Sequence, residues 1–444
     1  MTLNTTILLL AISLLTVSAF AQNDWIRTGT GLGVEKPRIA VADFKAANAD
    51  PTTGALQKVF DDTLVNDLSQ SGILDVISKS FYPLQQPGAP QEVNPSAWAN
   101  DPAKAALLAF GNINASTGDA AVNGWLFDVT NTQAPQILGK QYREKATEDN
   151  ARLIAHRFAN EIIFRLGGGI NGIFETRIYF VHANSKSGNK EIWAMDYDCN
   201  GARALTQLGT ISLSPRPSPD NSRLAFSSMT GGGWQIRMYS LELGRMVAFP
   251  AFGGTNISPG WSPDGRLAFS SSRTGDPEIY TCTADGTAVK RVTAYHGPDV
   301  APTWNPKTGA QIAWVTGRSG LPQIYMMESD GTNPQPLTEE GYAVSPSWSP
   351  NGQFLTFSWI RHYGPGAPGA QDIYVFDIAT KRFLQLTHDA GRNDFPSWSP
   401  DGRHIVFQSN RNGSDQIWTM LADGSDQHQL TRSGINTQPS WSWK

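Results

Sequence analysis

The stretch Pro259-Gly260-Trp261-Ser262-Pro263-Asp264-Gly265 decides the architecture, because it recurs along the second half of the chain. Its copies are Pro302-Thr303-Trp304-Asn305-Pro306, Pro346-Ser347-Trp348-Ser349-Pro350-Asn351-Gly352, Pro396-Ser397-Trp398-Ser399-Pro400-Asp401-Gly402 and Pro439-Ser440-Trp441-Ser442. The successive Trp spacings are 43, 44, 50 and 43 residues. A degenerate copy, Pro215-Arg216-Pro217-Ser218-Pro219-Asp220, lies 44 residues before Trp261 and has Pro217 in the Trp position. Each copy reads as a short strand entering a tight turn. Pro fixes φ, Asp bonds its own backbone, and Gly accepts a positive φ.

A second motif runs in step: Glu191-Ile192-Trp193, Gln235-Ile236, Glu278-Ile279-Tyr280, Gln323-Ile324-Tyr325, Asp372-Ile373-Tyr374 and Gln416-Ile417-Trp418. All but the second lead to a Leu-Thr or Val-Thr pair: Leu205-Thr206, Val292-Thr293, Leu337-Thr338, Leu386-Thr387 and Leu430-Thr431. One unit is therefore strand a (Pro-x-Trp), strand b (267–271), strand c (278–283) and strand d. Four strands in about 44 residues is the size of a propeller blade.

The two ends of the repeat predict how the ring closes. The first unit, Thr176 to Leu208, has strands b, c and d without a strand a, whereas Thr437 to Trp443 is a strand a with nothing after it. The last strand should complete the first blade, leaving no open sheet edge and giving six blades. The tryptophans read as packing between neighbouring sheets, each removing roughly 150–250 Å² from water. Strand polarity puts the short a–b and c–d turns on one face. The variable b–c and d–a loops lie on the other, where binding is expected. The 50-residue spacing comes from an insertion at 360–370 with Arg361, His362 and Tyr363 among Gly and Pro. A partner contact and a plain insert remain equal readings for it.

Upstream, residues 37–166 read as a small mixed α/β domain, followed by a linker at 167–175 and the propeller at 176–444. Arg38 to Phe44 reads as a strand, and Leu56, Val59, Phe60, Leu64 and Leu68 form a helical stripe ended by Gly72. Strands follow at 73–77 and 107–115, then a hairpin from 125–129 and 136–142. A closing helix runs from about Glu148 to Leu166, with Thr147 as its cap. Residues 1–21 read as a signal peptide: Ile7 to Val17 is an apolar run shorter than a bilayer needs, and Ala19-Phe20-Ala21 places cleavage before Gln22. The segment 22–36 contains Gly29-Thr30-Gly31-Leu32-Gly33 without the flanking strand and helix of a nucleotide loop, and reads as a flexible tail.

Composition supports the same picture. The 42 Gly, 28 Pro and 14 Trp among 444 residues, with only 17% charged, exclude coiled-coil and disordered chains. A net charge of −4 without a basic block gives no electrostatic support for nucleic acid or an anionic membrane. Cys199 and Cys282 fall in non-adjacent repeat units, so two free thiols are expected rather than a disulfide.

The signal sequence, the small α/β domain and six Pro-x-Trp-Ser-Pro-Asp-Gly repeats together resemble the TolB family, periplasmic components of the Tol-Pal system of Gram-negative bacteria. Pro83-Leu84-Gln85-Gln86-Pro87-Gly88, Gln91-Glu92-Val93-Asn94-Pro95 and Ala97-Trp98 are similar to a stretch of that family. The resemblance implies a monomeric interaction protein, not an enzyme, with no cofactor. It would bind the peptidoglycan-associated lipoprotein Pal across the propeller mouth, with Thr255, Ser258 and Val300 at contact positions. We extend these to His296, Asp299, Tyr342, Arg392 and Asn393 in equivalent loops. The segment 22–35, with Trp25, Ile26 and Arg27, would communicate with the C-terminal domain of TolA. The role implied is outer-membrane integrity and invagination during division.

Rival functions find weaker support. A propeller peptidase needs a Gly-x-Ser-x-Gly elbow, which the sequence lacks. A propeller glycosidase needs paired carboxylates, for which Asp299 and Asp394 are the candidates. No His/Cys cluster has zinc spacing, a calcium ion in the channel is left open, and a carbohydrate-binding propeller is the runner-up.

Overall fold

The computed structural model describes residues 35–444 except 117, 184–187, 365–369 and 389. The signal peptide, Trp25, Ile26, Arg27 and the core of the 360–370 insertion lie outside the described residues. Six four-stranded antiparallel sheets form the second half. Blade 1 is composite: Ile435–Trp441 pairs with Arg177–Ala183, which pairs with Lys190–Asp196 and then Arg203–Ala204. Blades 2 to 6 follow in chain order, beginning at Ser212–Pro217, Asn256–Trp261, Asp299–Trp304, Tyr342–Trp348 and Asn393–Trp398. The six blades and the closing C-terminal strand are as the repeat phase predicts.

The turn chemistry goes deeper than the backbone preferences of Pro and Gly. In blade 5 the hydroxyl of Ser349 donates to Asn351 Oδ1 at 2.6 Å and accepts from the Phe354 amide at 2.9 Å. Ser399 does the same with Asp401 and the His404 amide, and Ser218 with Asp220 and the Arg223 amide. The buried serine bonds the entry to strand b, while Gly265, Gly352 and Gly402 supply the positive φ.

The second motif has a similar cause. The Thr of each Leu-Thr or Val-Thr pair accepts the amide of the motif's Ile, from Ile192 to Thr206, Ile279 to Thr293, Ile324 to Thr338, Ile373 to Thr387 and Ile417 to Thr431, at 2.9–3.0 Å. In blades 1, 3, 5 and 6 its hydroxyl donates to the polar residue before that Ile: Glu191, Glu278, Asp372 or Gln416. Strand d is only two to four residues long in these blades. The Thr strap anchors the chain beyond that short strand to strand c.

The first domain is a sheet in the order Asp75–Val76, Arg38–Val41, Leu107–Ser116, Asp119–Asp128, Gln136–Lys145, covered by α1 (Pro51–Gln70) and α2 (Glu148–Leu166). Thr147 caps α2, its side chain accepting from the Asn150 amide. Three details differ from the sequence reading. The first strand breaks after Val41 and resumes at Lys45–Ala46 against the same neighbour. The hairpin strands are longer than expected, and Pro95–Ala99 forms a short helix that buries Trp98.

The two domains share one hydrophobic core. Leu64, Leu68, Ile154 and Phe158 from the helices join Phe174, Val406, Ile417 and Trp441 of the propeller side. Asp67 on α1 accepts from Tyr197 Oη at 2.5 Å and pairs with His156 Nδ1 on α2 at 2.8 Å. Arg152 bonds Asp198 at 2.8 Å, and His404 Nε2 lies 2.7 Å from the Gln70 carbonyl. Tyr197 and Asp198 lie in a c–d turn, and His404 follows an a–b turn. The first domain therefore docks on the face of the short turns and leaves the opposite mouth open.

Asp61 on α1 supplies a pH test of the first domain. Burial pushes its carboxyl up to about 7, against the stabilising amide of Phe44. The folded state thus holds a proton that the unfolded chain releases near pH 4, so stability falls as pH rises from about 4 through 7. Asp61→Asn should raise the thermal midpoint more at pH 8 than at pH 5. A pH-independent difference between the two melting curves would refute this.

Candidate functional site

The mouth is built from the d–a and b–c loops, and each strand a begins there with the same irregularity. Register shifts separate Ile257 from Gly260, Val300 from Thr303, Val344 from Ser347 and Asp394 from Ser397, with counterparts in blades 1 and 2. The bulged residues Ser214, Ser258, Ala301, Ser345, Phe395 and Gln438 all have φ between 51° and 57°. Each is a non-glycine residue preceding a proline, a costly conformation repeated six times around the ring. The bulge bends strand a where it leaves the mouth.

The expected contact residues divide by burial. Thr255, His296 and Arg392 are exposed, and Ser258, Val300 and Tyr342 are half-buried, all at the mouth. His296 pairs with Asp276 at 3.0 Å, and the ring of Tyr342 lies 5.7 Å from that of Tyr363. Asp299 and Asn393, in contrast, are completely buried and do not present to the surface as their place in the loops suggests. The amide of Asn393 donates to the Gln371 carbonyl, Asp372 Oδ1 and the Gly391 carbonyl. Asn256 and Asn436 occupy the same place in their blades and make the same kind of loop bonds. Position one of strand a is thus a staple that shapes the d–a loop. Asp394 is also buried, accepting from Ser345, Ser358 and the Phe395 amide, so it is committed to structure rather than poised opposite Asp299.

The sequence reading named the b–c loops without recognising their arginines as a series. Arg273, Arg318 and Arg411 each bond, through Nε, the hydroxyl two residues earlier at 2.9–3.3 Å. Their guanidinium groups lie over aromatic rings: Arg273 4.6 Å from Tyr280, Arg318 4.6 Å from Tyr295, and Arg411 4.5 Å from Trp418. The signal that could have found them was the matched recurrence of Arg at this one blade position opposite an aromatic in strand c. Arg318 also reaches Asp299 at 3.2 Å, whose other carboxylate oxygen accepts the Trp314 indole N–H at 3.0 Å. Four of the exposed large apolar side chains among the described residues lie at the mouth, Tyr295, Leu321 and Tyr363 on its loops and Ile435 at the start of strand a of blade 1. Fixed arginines among exposed apolar rings are the chemistry of a protein-binding surface.

Among the described residues no group of three His, Cys, Asp or Glu is placed to hold a metal ion. No helix there is long and apolar enough to cross a membrane. Cys199 and Cys282 are both free, and burial pushes each thiol up to about 12.

Fold and mouth define a two-domain, six-bladed propeller with one elaborated face. Comparison with known families makes this specific: the TolB beta propeller domain matches residues 164–364 and 339–444, and the TolB amino-terminal domain matches 30–134. The chain belongs to the TolB family of the Tol-Pal system. It is 36% identical over 156 residues to the protein TolB homolog of Chlorobium chlorochromatii, covering 35% of this chain and 34% of the relative. It is 34% identical over 254 residues to the Tol-Pal system protein TolB of Desulfosudis oleivorans, covering 56% and 55%. The matched segments thus span from a third to just over half the length of these relatives. The crystal structure of TolB from Acinetobacter baumannii shares the fold at 24% identity, with a TM-score of 0.77 over 94% of this chain and 98% of that one.

The Arg318–Asp299 pair predicts a measurable coupling. Arg318→Ala leaves a buried carboxylate without its cation and should destabilise the chain by about 3–5 kcal/mol. Adding Asp299→Asn should recover most of the loss. Chemical denaturation of both variants reads this directly, and equal stability of the single and double variants would contradict it.

Proposed function

We propose that this chain is the periplasmic, non-catalytic interaction component of a Tol-Pal system, exported by residues 1–21 and cleaved before Gln22. The propeller mouth binds a Pal-type lipoprotein, and the segment 22–35, with Trp25, Ile26 and Arg27, couples to the C-terminal domain of TolA. The biological outcome is outer-membrane integrity and invagination during cell division. The observation that carries the reading is the mouth itself: in a TolB-family chain, the one face left clear of the first domain collects immobilised arginines, exposed Tyr295, Leu321 and Ile435, and six strained bulges.

Within that face, Thr255, Ser258, His296, Val300, Tyr342 and Arg392 are the residues proposed to touch the partner. Asp299 and Asn393 act beneath them, holding the loops in shape. Ser258 and Val300 are half-buried on strand a in adjacent blades, Val300 against the cluster that holds Ala343 and Trp348, so a long cation at both places would disturb the mouth end of strand a.

Capture of the organism's Pal-type lipoprotein by the mature chain tests the reading. Wild type should retain the lipoprotein, and the double variant Ser258→Arg/Val300→Arg should lose at least about tenfold in affinity while still melting in one cooperative transition. Failure of the wild type to bind, or equal binding by the double variant, would remove the mouth from the proposal. Hydrolysis of peptides or glycosides by the purified chain would overturn the non-catalytic reading.

A further inference from the structure

The degenerate repeat Pro215-Arg216-Pro217 departs from its siblings at one functional position. The middle residue of Pro-x-Trp is small in five blades, Gly260, Thr303, Ser347, Ser397 and Ser440, and is Arg216 in the sixth. All six line one cavity of about 190 Å³ at the end of the channel that faces the first domain. The rest of its wall is mainly the repeat's tryptophans and prolines, and none of the residues proposed to contact the lipoprotein borders it. Pro400 and Trp443 border both this cavity and the cleft beside α2, which gives a route of entry.

Arg216 is an anomaly in energetic terms. The mouth arginines stack on rings, and Arg318 has its carboxylate. Arg216 forms no ion pair among the described residues, and its one side-chain hydrogen bond runs from Nη1 to the carbonyl of neighbouring Pro215 at 2.9 Å. Burial alone pulls its guanidinium down to about 10, with no acidic group opposing the shift. The side chain is only half-buried, stays charged at neutral pH and has no counter-ion among the described residues.

We propose that this cavity is a binding site for a small carboxylate carried on a flat apolar body, with Arg216 as the anion-binding group and the hydroxyls of Thr303, Ser347, Ser397 and Ser440 as further donors. A single planar guanidinium fork matches one carboxylate bidentately. A phosphate dianion would ask for more positive charge than the wall supplies. The tryptophan walls suit a flat ring. A cavity of about 150 Å³ admits benzene, so about 190 Å³ suits a ring bearing one carboxylate. Ser397 Oγ already accepts from the Trp441 amide at 3.1 Å, which leaves its own hydrogen free to donate inward. The site lies at the far end of the channel from the mouth and is independent of the lipoprotein reading.

Titration calorimetry of the full mature chain with benzoate, benzyl alcohol and inorganic phosphate tests this, together with melting curves. Benzoate should saturate at one site and raise the melting temperature. Benzyl alcohol and phosphate should bind at least about tenfold more weakly. Arg216→Gln should lose benzoate binding by a similar factor. Arg216→Lys should keep part of the binding. Absence of saturable benzoate binding, or equal binding by Arg216→Gln, would each overturn the proposal. If Arg216→Gln does not fold, Thr303→Val serves in its place: several-fold weaker benzoate binding supports the site, and unchanged binding overturns it.

Discussion

Strand Ile435–Trp441 pairs with Arg177–Ala183, and Arg177 and Ser442 exchange backbone and side-chain hydrogen bonds across 265 positions of sequence. Without that pairing the ring would end in two open edges, each a template for other chains. The same strand delivers Trp441, whose indole N–H bonds Thr176 Oγ1 at 2.8 Å and whose ring joins the core shared with both long helices. Closing the ring and docking the first domain are therefore one packing event. The mouth stays free because docking uses the other face, through Asp67, Tyr197 and His404.

Repeated local chemistry makes this closure possible. Serine-held a–b turns and threonine straps satisfy polar groups at the two ends of most blades, so neighbouring sheets meet through Trp, Ile and Phe. The bulge at each strand a runs the other way, placing an unfavourable conformation where the channel opens. Structure elsewhere offsets that strain, and its recurrence at one level of six blades ties it to the mouth.

Much of this was legible because the signals are periodic. The Trp spacing, the Asp-Gly turns and the unequal ends of the repeat specify blade number and closure without any long-range information. The cap at Thr147 and the stripe from Leu56 to Leu68 likewise locate both long helices. What pattern alone does not carry is the direction of a polar side chain. Asp299 and Asn393 sit in loop sequence, yet cross-strand partners such as Trp314 and Asp372 draw them inside. The break of the first strand after Val41 follows tertiary neighbours, since the Asp43 amide donates to Gln86 Oε1 at 2.7 Å and the Phe44 amide to Asp61 Oδ1 at 3.1 Å, and no local periodicity records it. The stacked arginines were visible as residues but not as a set, since their meaning comes from aromatics on another strand.

The molecule has two unlike faces: a turn face committed to the first domain and a mouth left open on the opposite side. Hydrogen exchange of the full mature chain with and without the Pal-type lipoprotein compares them most directly. Added protection should concentrate in loops 253–258, 295–301, 339–345 and 390–395, while the turns at 262–265 and 349–352 stay unchanged. Protection centred on those turns, with the mouth loops unaffected, would contradict the account.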